Sequence, residues 1–515
     1  MKSCLWLERP SQWRWWGVLA VLALATLPVL PLLGESNPSQ GTVWGQGVFL
    51  RSLLNSLGVG CAVAVGSLFL GLPLGVFFAL YGFPGRQLCL TLLTLPLLVP
   101  SFLWAIGWSS VLARGGPAAT ALFAGHVGCV VVFLQGSMPL VLFTAYAATR
   151  TLSRSQIEAA RLAGGETTVV RASCRHAALP AALAACVAGI LTLSDPGPGQ
   201  ILGLPTAAAE ILTSFAALYD FTLATRQCFV LAGLVLALTI PLAIVVTPRV
   251  VEGLLVRQTA RASLTPPRGR SAALVGGMIT VAVAVLAIPL AGLLVPLTRA
   301  VEFSRAGQEV ARTWWNTLLY AGGAGLLATL VGFALAVLVG HSRGLRLACV
   351  GICFALFTVP PALGALGILR ISAAAPAWSD SLLRGRLMVS LFLGLRFLPV
   401  ATVLGLRAWA TLPASWTQAA ALHGVSTGRY CGKVVIPFLL PHAGVSVTLV
   451  TLLAAADVGT VLLLHPPGES SLPLAIFTVM ANAPETLVAS LCACYLGGAA
   501  LLLTLFLVLA RRTTP

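Results

Sequence analysis

Arg396 is the residue in this chain whose position most invites chemistry. It lies inside the apolar run 387–410, three residues before Pro399. A guanidinium at that depth is costly unless it has a counter-charge or lines a polar path, so a pathway role stands beside a salt-bridged or snorkelling one. Asp195 and Asp457 each close an apolar run, just before Pro196-Gly197 and Val458-Gly459. A carboxylate at a helix C-terminus opposes the macrodipole. Solvation at the outer surface, or a role in a gate or a partner contact, would account for it. Asn55 and Asn316 stand at the starts of two further runs, where they either cap their helices from the outer interface or face the same path.

Other chemistries lack their residues. The twelve cysteines include the close pairs Cys349/Cys353 and Cys492/Cys494 but no Cys-x2-Cys, and the six histidines show no ligand spacing. Lys2 and Lys433 are the lysines of the chain. Lys433 follows Gly432 but precedes Val434, so there is no phosphate-cradling Gly-x4-Gly-Lys-Ser/Thr. The expectation is a chain that binds no metal or cofactor, carries no catalytic residue and is not an enzyme.

Two short Ala-rich stretches repeat each other. Glu158-Ala159-Ala160 is followed after three residues by Gly164, and Gln418-Ala419-Ala420 by Gly424. Each reads as a short helix, a glycine that ends it, and a second amphipathic segment leading into the next apolar run. Alanines permit close packing and glycine permits the bend.

The elements that must position these residues are membrane spans. The chain is 58% apolar and 9% charged, far below the roughly 25% charged residues of soluble domains. Apolar runs long enough to cross the hydrocarbon layer fall at 16–33, 52–81, 88–112, 121–147, 180–194, 223–247, 272–297, 313–340, 347–369, 387–410, 438–456 and 487–510. The first has Lys2, Arg9, Arg14 and a Trp cluster before it and no small-residue cleavage site after it, which favours an uncleaved helix over a signal peptide. The net charge of +17 could suggest nucleic acid, but the basic residues concentrate in one set of loops. That set holds Glu8, Glu158, Glu166 and Glu252 as its acids. This is the positive-inside pattern, which places both termini and the two Ala-rich loops in the cytoplasm and argues against nucleic-acid binding.

The two halves repeat. Asn55 and Asn316 are 261 residues apart, Pro100 and Pro360 260, Gly164 and Gly424 260, and Asp195 and Asp457 262. Pro100, Ala105 and Gly107 recur as Pro360, Ala365 and Gly367, a pattern that marks a kink and close packing. At Arg396 the repeat fails, since its counterpart is Gly136. The expected architecture is an all-α polytopic membrane protein of about twelve spans: a first half at 1–248, a linker at 249–271 and a second half at 272–515. An even number of spans in each makes the halves parallel.

On the paired Glu/Gln-Ala-Ala-x3-Gly loops, the Asn-Ser/Thr-Leu and Pro-x4-Ala-x-Gly motifs and the Asp-x-Gly after each fifth span, the chain resembles the fused two-half permeases of iron(III)-type ABC importers. Thiamine and phosphonate permeases are near relatives of that family. It departs from the family where Gln418 replaces Glu, where Ala177 stands at the position of Pro437, and where Ser101 and Pro361 follow the motif prolines. The resemblance implies a type I importer permease in a bacterial inner membrane. It further implies two copies of a separate ATPase docked at the paired loops, and a periplasmic solute-binding protein that delivers iron(III), or else thiamine, phosphonate or polyamine. The rival class is an ion-coupled secondary transporter, which would need carboxylates at mid-membrane.

Overall fold

The computed structural model describes residues 12–35, 43, 47–255, 266, 270–298 and 302–513. Lys2, Arg9 and most of the expected linker, including Arg257, Arg261 and Arg268, lie outside the described residues. In chain order the first half carries α1 (Gln12–Thr26), α2 (Val48–Leu80), α3 (Arg86–Leu92), α4 (Leu95–Leu98), α5 (Ser101–Arg114), α6 (Pro117–Phe123), α7 (His126–Thr149), α8 (Arg154–Thr192), α9 (Gly197–Leu202), α10 (Ala207–Ala216) and α11 (Phe221–Leu255). The second carries α12 (Arg270–Leu294), α13 (Phe303–Val339), α14 (Arg343–Thr358), α15 (Pro361–Ala374), α16 (Asp380–Leu383), α17 (Arg386–Thr411), α18 (Ala414–Leu422), α19 (Thr427–Tyr430), α20 (Ile436–Ala455), α21 (Val458–Leu464), α22 (Leu472–Val479) and α23 (Glu485–Thr513).

Hydrocarbon offers no partner to a free N–H or C=O, so apolar runs of this length close their hydrogen bonds internally as helices. Among the described residues nine helices are long and apolar enough to cross a bilayer, or twelve if each of three bent helix pairs is one span. The chain is therefore a polytopic all-α membrane protein.

The bent pairs correct the expectation of simple kinks. The third run turns by 104° between α4 and α5, and the ninth by 82° between α14 and α15. At each break Val-Pro stands in extended backbone: Val99 at φ −114°, ψ 136° and Pro100 at φ −50°, ψ 136°, then Val359 at φ −56°, ψ 134° and Pro360 at φ −54°, ψ 125°. A residue before proline is pushed out of the helical region, and proline has no N–H to carry the ladder across. The first run is also broken, by 58°, where α1 gives way to the 3-10 segment Leu27–Glu35.

Packing repeats between the halves. Helix α2 lies against α7 and α8 as α13 lies against α17 and α20. The first helices are exchanged: α1 packs on α13 and α14, its 3-10 continuation packs on α15, and α12 packs on α5. The Ala-x-Gly of the motif receives them. Ala105 and Ala365 are fully buried, a Cβ on Gly107 would collide with the Pro289 backbone of α12, and one on Gly367 would collide with the Pro28 backbone. Close backbone approach between helices is how membrane proteins gain packing energy without a hydrophobic drive.

Candidate functional site

The two breaks and the two chain segments that follow α8 and α20 meet around one cavity of about 290 Å³ between the halves. Ser101, Asp195 and Gly197 reach it from one half, and Pro361, Arg396 and Asp457 from the other. Neither aspartate is solvated at an outer surface, contrary to one sequence expectation; the Asp457 side chain is 7% exposed. Nor do these acids sit against an unfavourable dipole. Each opens the next short helix. Asp457 is the N-cap of α21, accepting from Thr460 N at 3.1 Å and from Thr460 Oγ1 at 2.8 Å. Asp195 accepts from Gly197 N at 2.9 Å, at the entry to α9. A carboxylate at a helix start satisfies an orphan N–H and complements the dipole.

Arg396 comes from α17, turned toward the cavity. Its Nη1 donates to Asp457 and, at 2.6 Å, to Thr460 Oγ1, and its guanidinium lies 5.5 Å from the Phe397 ring. Asp195, Asp457 and Arg396, named from three distant stretches, thus share one site. Asn55 and Asn316 do not join them. Asn55 donates to Pro205 O at 3.0 Å and Asn316 to Ser470 O at 3.3 Å. The neighbouring hydroxyls of Ser56 and Thr317 accept from Ala207 N and Leu472 N at 2.9 and 2.8 Å. In each half the Asn-Ser/Thr pair anchors the short helix before the last span.

The Ala-rich loops lie at the same end of the bundle. Met278 and Ile279 of α12 pack on the same apolar cluster as Phe83 in the turn after α2, and Tyr81 Oη of that turn bonds Glu166. Helices α12 and α13 run out and back, so the turn after α13 returns to the same end, where His341 lies against Trp409 near the close of α17. In the first loop Ser153 and Gln156 form a reciprocal cap of α8, Arg154 donates to Glu158 at 2.7 Å and Arg161 to Glu166 at 2.6 Å. Glu158 and Ala159 are exposed, and Ala160 packs inward. Gln418, Ala419 and Ala420 repeat that pattern, with Ala420 buried.

The bends differ. Gly424 has φ +64°, with Val425 N on Ala420 O at 2.9 Å and Gly424 N on Ala421 O at 3.2 Å, the paired bonds of a Schellman cap. In the first loop the positive φ belongs to Gly165, at +69°, and not to Gly164, whose φ of −178° any residue can adopt. Gly164 is restricted by space instead, because a Cβ there would strike the Thr168 side chain.

Sequence reasoning passed over Leu162 and Leu422, 260 residues apart, which project from the loop tips at 90% and 88% exposure. Their signal was available: an aliphatic residue two places before the glycine in both copies. Ser101 was also missed as a cavity residue, and Thr460 as a buried partner of Arg396 and Asp457, since a lone hydroxyl in an apolar chain carries no pattern.

No family model matches the chain, and no solved structure matches it. Among curated proteins it is similar to one from Salmonella typhi named as a 2-aminoethylphosphonate transport system permease protein, PhnU. The two are 28% identical over 195 residues, which covers 33% of this chain and 68% of that protein. The PhnU of Salmonella paratyphi A is 27% identical over 218 residues, covering 36% of this chain and 74% of its own length. The similarity is to permeases of transport systems, and each match is shorter than one expected half.

Proposed function

We propose that this chain is the permease subunit of an ATP-driven, binding-protein-dependent importer in a bacterial inner membrane. The halves 1–248 and 272–515, joined by the 249–271 linker, form the pathway around the central cavity. Both termini and both Ala-rich loops face the cytoplasm. Each loop docks one copy of a separate ATPase, and a periplasmic binding protein delivers the cargo at the other end. The observation that carries this reading is the loop pair itself: two equivalent helix–glycine–helix elements at one end of the bundle, each presenting a nearly fully exposed leucine. A large aliphatic side chain held in water by a capped helix is poorly explained without a partner groove. The similarity to transport permeases supports it.

For the cargo, the named relatives favour a phosphonate over iron(III), the class ranked first from sequence. Among the described residues no group of three or more His, Cys, Asp and Glu gathers to hold a metal ion. The two carboxylates near Arg396 are the observation that favours an ion-coupled carrier. Purification of the tagged chain from its native membranes separates the two readings. The importer reading expects a co-purifying ATPase whose hydrolysis the loaded binding protein stimulates, and loss of most of that ATPase from the double variant Leu162→Asp/Leu422→Asp. Uptake into vesicles driven by an ion gradient, with no ATPase retained, would overturn it.

A further inference from the structure

The hydrogen bonding of Arg396 leaves one edge of its guanidinium open. Both of its bonds leave from Nη1. Nε and Nη2 bond no protein atom among the described residues, and neither is enclosed without access to open space. That is the edge with which an arginine grips an oxyanion through two parallel N–H bonds. Asp195 lies in the same cavity on the other half. The Gly197 N–H holds its carboxyl group, and Ser101, Arg396 and Asp457 line the same cavity. Arg396 and Asp457 are in direct contact and cancel formally, whereas Asp195 has no cationic side chain in ion-pair contact among the described residues. The cavity thus draws from one half an arginine with an open edge, which also borders an adjoining apolar pocket of about 720 Å³, and from the other a carboxyl group with no ion-pair partner.

We propose that this cavity binds a small zwitterion during passage, its oxyanion on Nε and Nη2 of Arg396 and its ammonium on Asp195. The transport role of the site rests on the importer reading; the binding itself does not. A dianion alone would face two carboxylates, and a bare cation would face the guanidinium. A molecule with both charges a few bonds apart meets each end with its complement. A cavity of about 290 Å³ has room for a small metabolite. The pseudo-symmetry explains why one arginine suffices. Gly136, the counterpart of Arg396, lines the same cavity and brings no charge to it.

The test is calorimetric binding to the purified full chain in lipid nanodiscs, with no ATPase or binding protein present. The probes are 2-aminoethylphosphonate, ethylphosphonate without the ammonium, ethanolamine without the phosphonate, and β-alanine as a carboxylate zwitterion. The expected result is binding of 2-aminoethylphosphonate at least about tenfold tighter than either single-charge probe, the scale of one charge-assisted contact. Asp195→Asn then removes the preference over ethylphosphonate, and Arg396→Gln removes the preference over ethanolamine. β-Alanine reports whether the anion end distinguishes phosphonate from carboxylate. Ser101→Ala and Thr460→Val, which keep the charges, serve where the charge variants fail to fold, and each should weaken zwitterion binding by a smaller factor. No binding by a chain of native thermal stability, or equal preference in wild type and variants, overturns the proposal. If the ATPase still co-purifies in that case, the importer reading stands; loss of both results removes both.

Discussion

The loop at 153–166 and the loop at 413–430 present the same surface by different means. The first is held by charge: Arg154 on Glu158, Arg161 on Glu166, and Tyr81 Oη on Glu166. The second has none of these ion pairs among its described contacts. Thr417 shares a buried hydrogen bond of 3.0 Å with Tyr430 Oη, and Trp416 packs edge-on against Phe438 with centroids 5.8 Å apart. After its bend the first continues as α-helix through Ala177 and Pro180, whereas the second passes through a π-helical turn at Cys431–Val435 before Pro437. What the loops share is the exposed Glu/Gln-Ala face, the projecting leucine and a left-handed glycine. Features retained in two differently built supports are those a common partner would read, and the supports are free to differ.

The largest expected effect tests that shared surface. On the proposed importer reading, Leu162→Asp and Leu422→Asp together should lower retention of a partner ATPase on this chain at least tenfold, while each alone lowers it less; retention unchanged in the double variant would break the equivalence of the loops. Next come the bends. Gly165→Ala and Gly424→Ala should each destabilise their loop by roughly 1–3 kcal/mol, the cost of a Cβ at positive φ. Gly164→Asp should act through its clash with Thr168, so a Gly164→Asp/Thr168→Ala pair should recover stimulated hydrolysis, whereas no neighbour change should rescue Gly424→Asp. Failure of that rescue would refute the assignment of the bend to Gly165. Then Tyr430→Phe should cost the second loop about 1 kcal/mol, seen as a lower melting temperature. Glu158→Gln should change stimulated hydrolysis least, since its ion pair with Arg154 is exposed and screened by solvent, and Gln418 already occupies the equivalent place.

A pH prediction lies at the opposite end of the bundle. Arg386 donates twice to Glu469, at 2.7 Å each, and this holds the Glu469 carboxyl below its usual range. A depressed carboxylate contributes stability above its unfolded pKa and loses it as pH falls through the folded one. Melting temperature should therefore drop more steeply on acidification below the ordinary glutamate range in wild type than in Glu469→Gln. The effect should be small because the pair is solvent-exposed.

Sequence by itself determined the membrane class, the repeated spacing of motifs, the Ala-x-Gly packing motif and where along the chain the two Ala-rich loops fall. These are properties of single helices or of spacing along the chain: hydrocarbon forces long apolar runs into helices, and equal offsets between motifs report duplication directly. Only the tertiary structure decided that Asp195 and Asp457 open helices inside a shared cavity, that Arg396 pairs with Asp457 there, that Asn55 and Asn316 anchor short helices instead of lining the path, and that Gly165 takes the bend. The physical reason is that these facts depend on which helix faces meet. Those meetings are set by small residues, Gly107 against Pro289 and Gly367 against Pro28, which pull the first helix of each half onto the other. Composition and periodicity show that Gly107 can be approached closely; that Pro289, far along the chain, is what approaches it emerges only when all the helices are packed together.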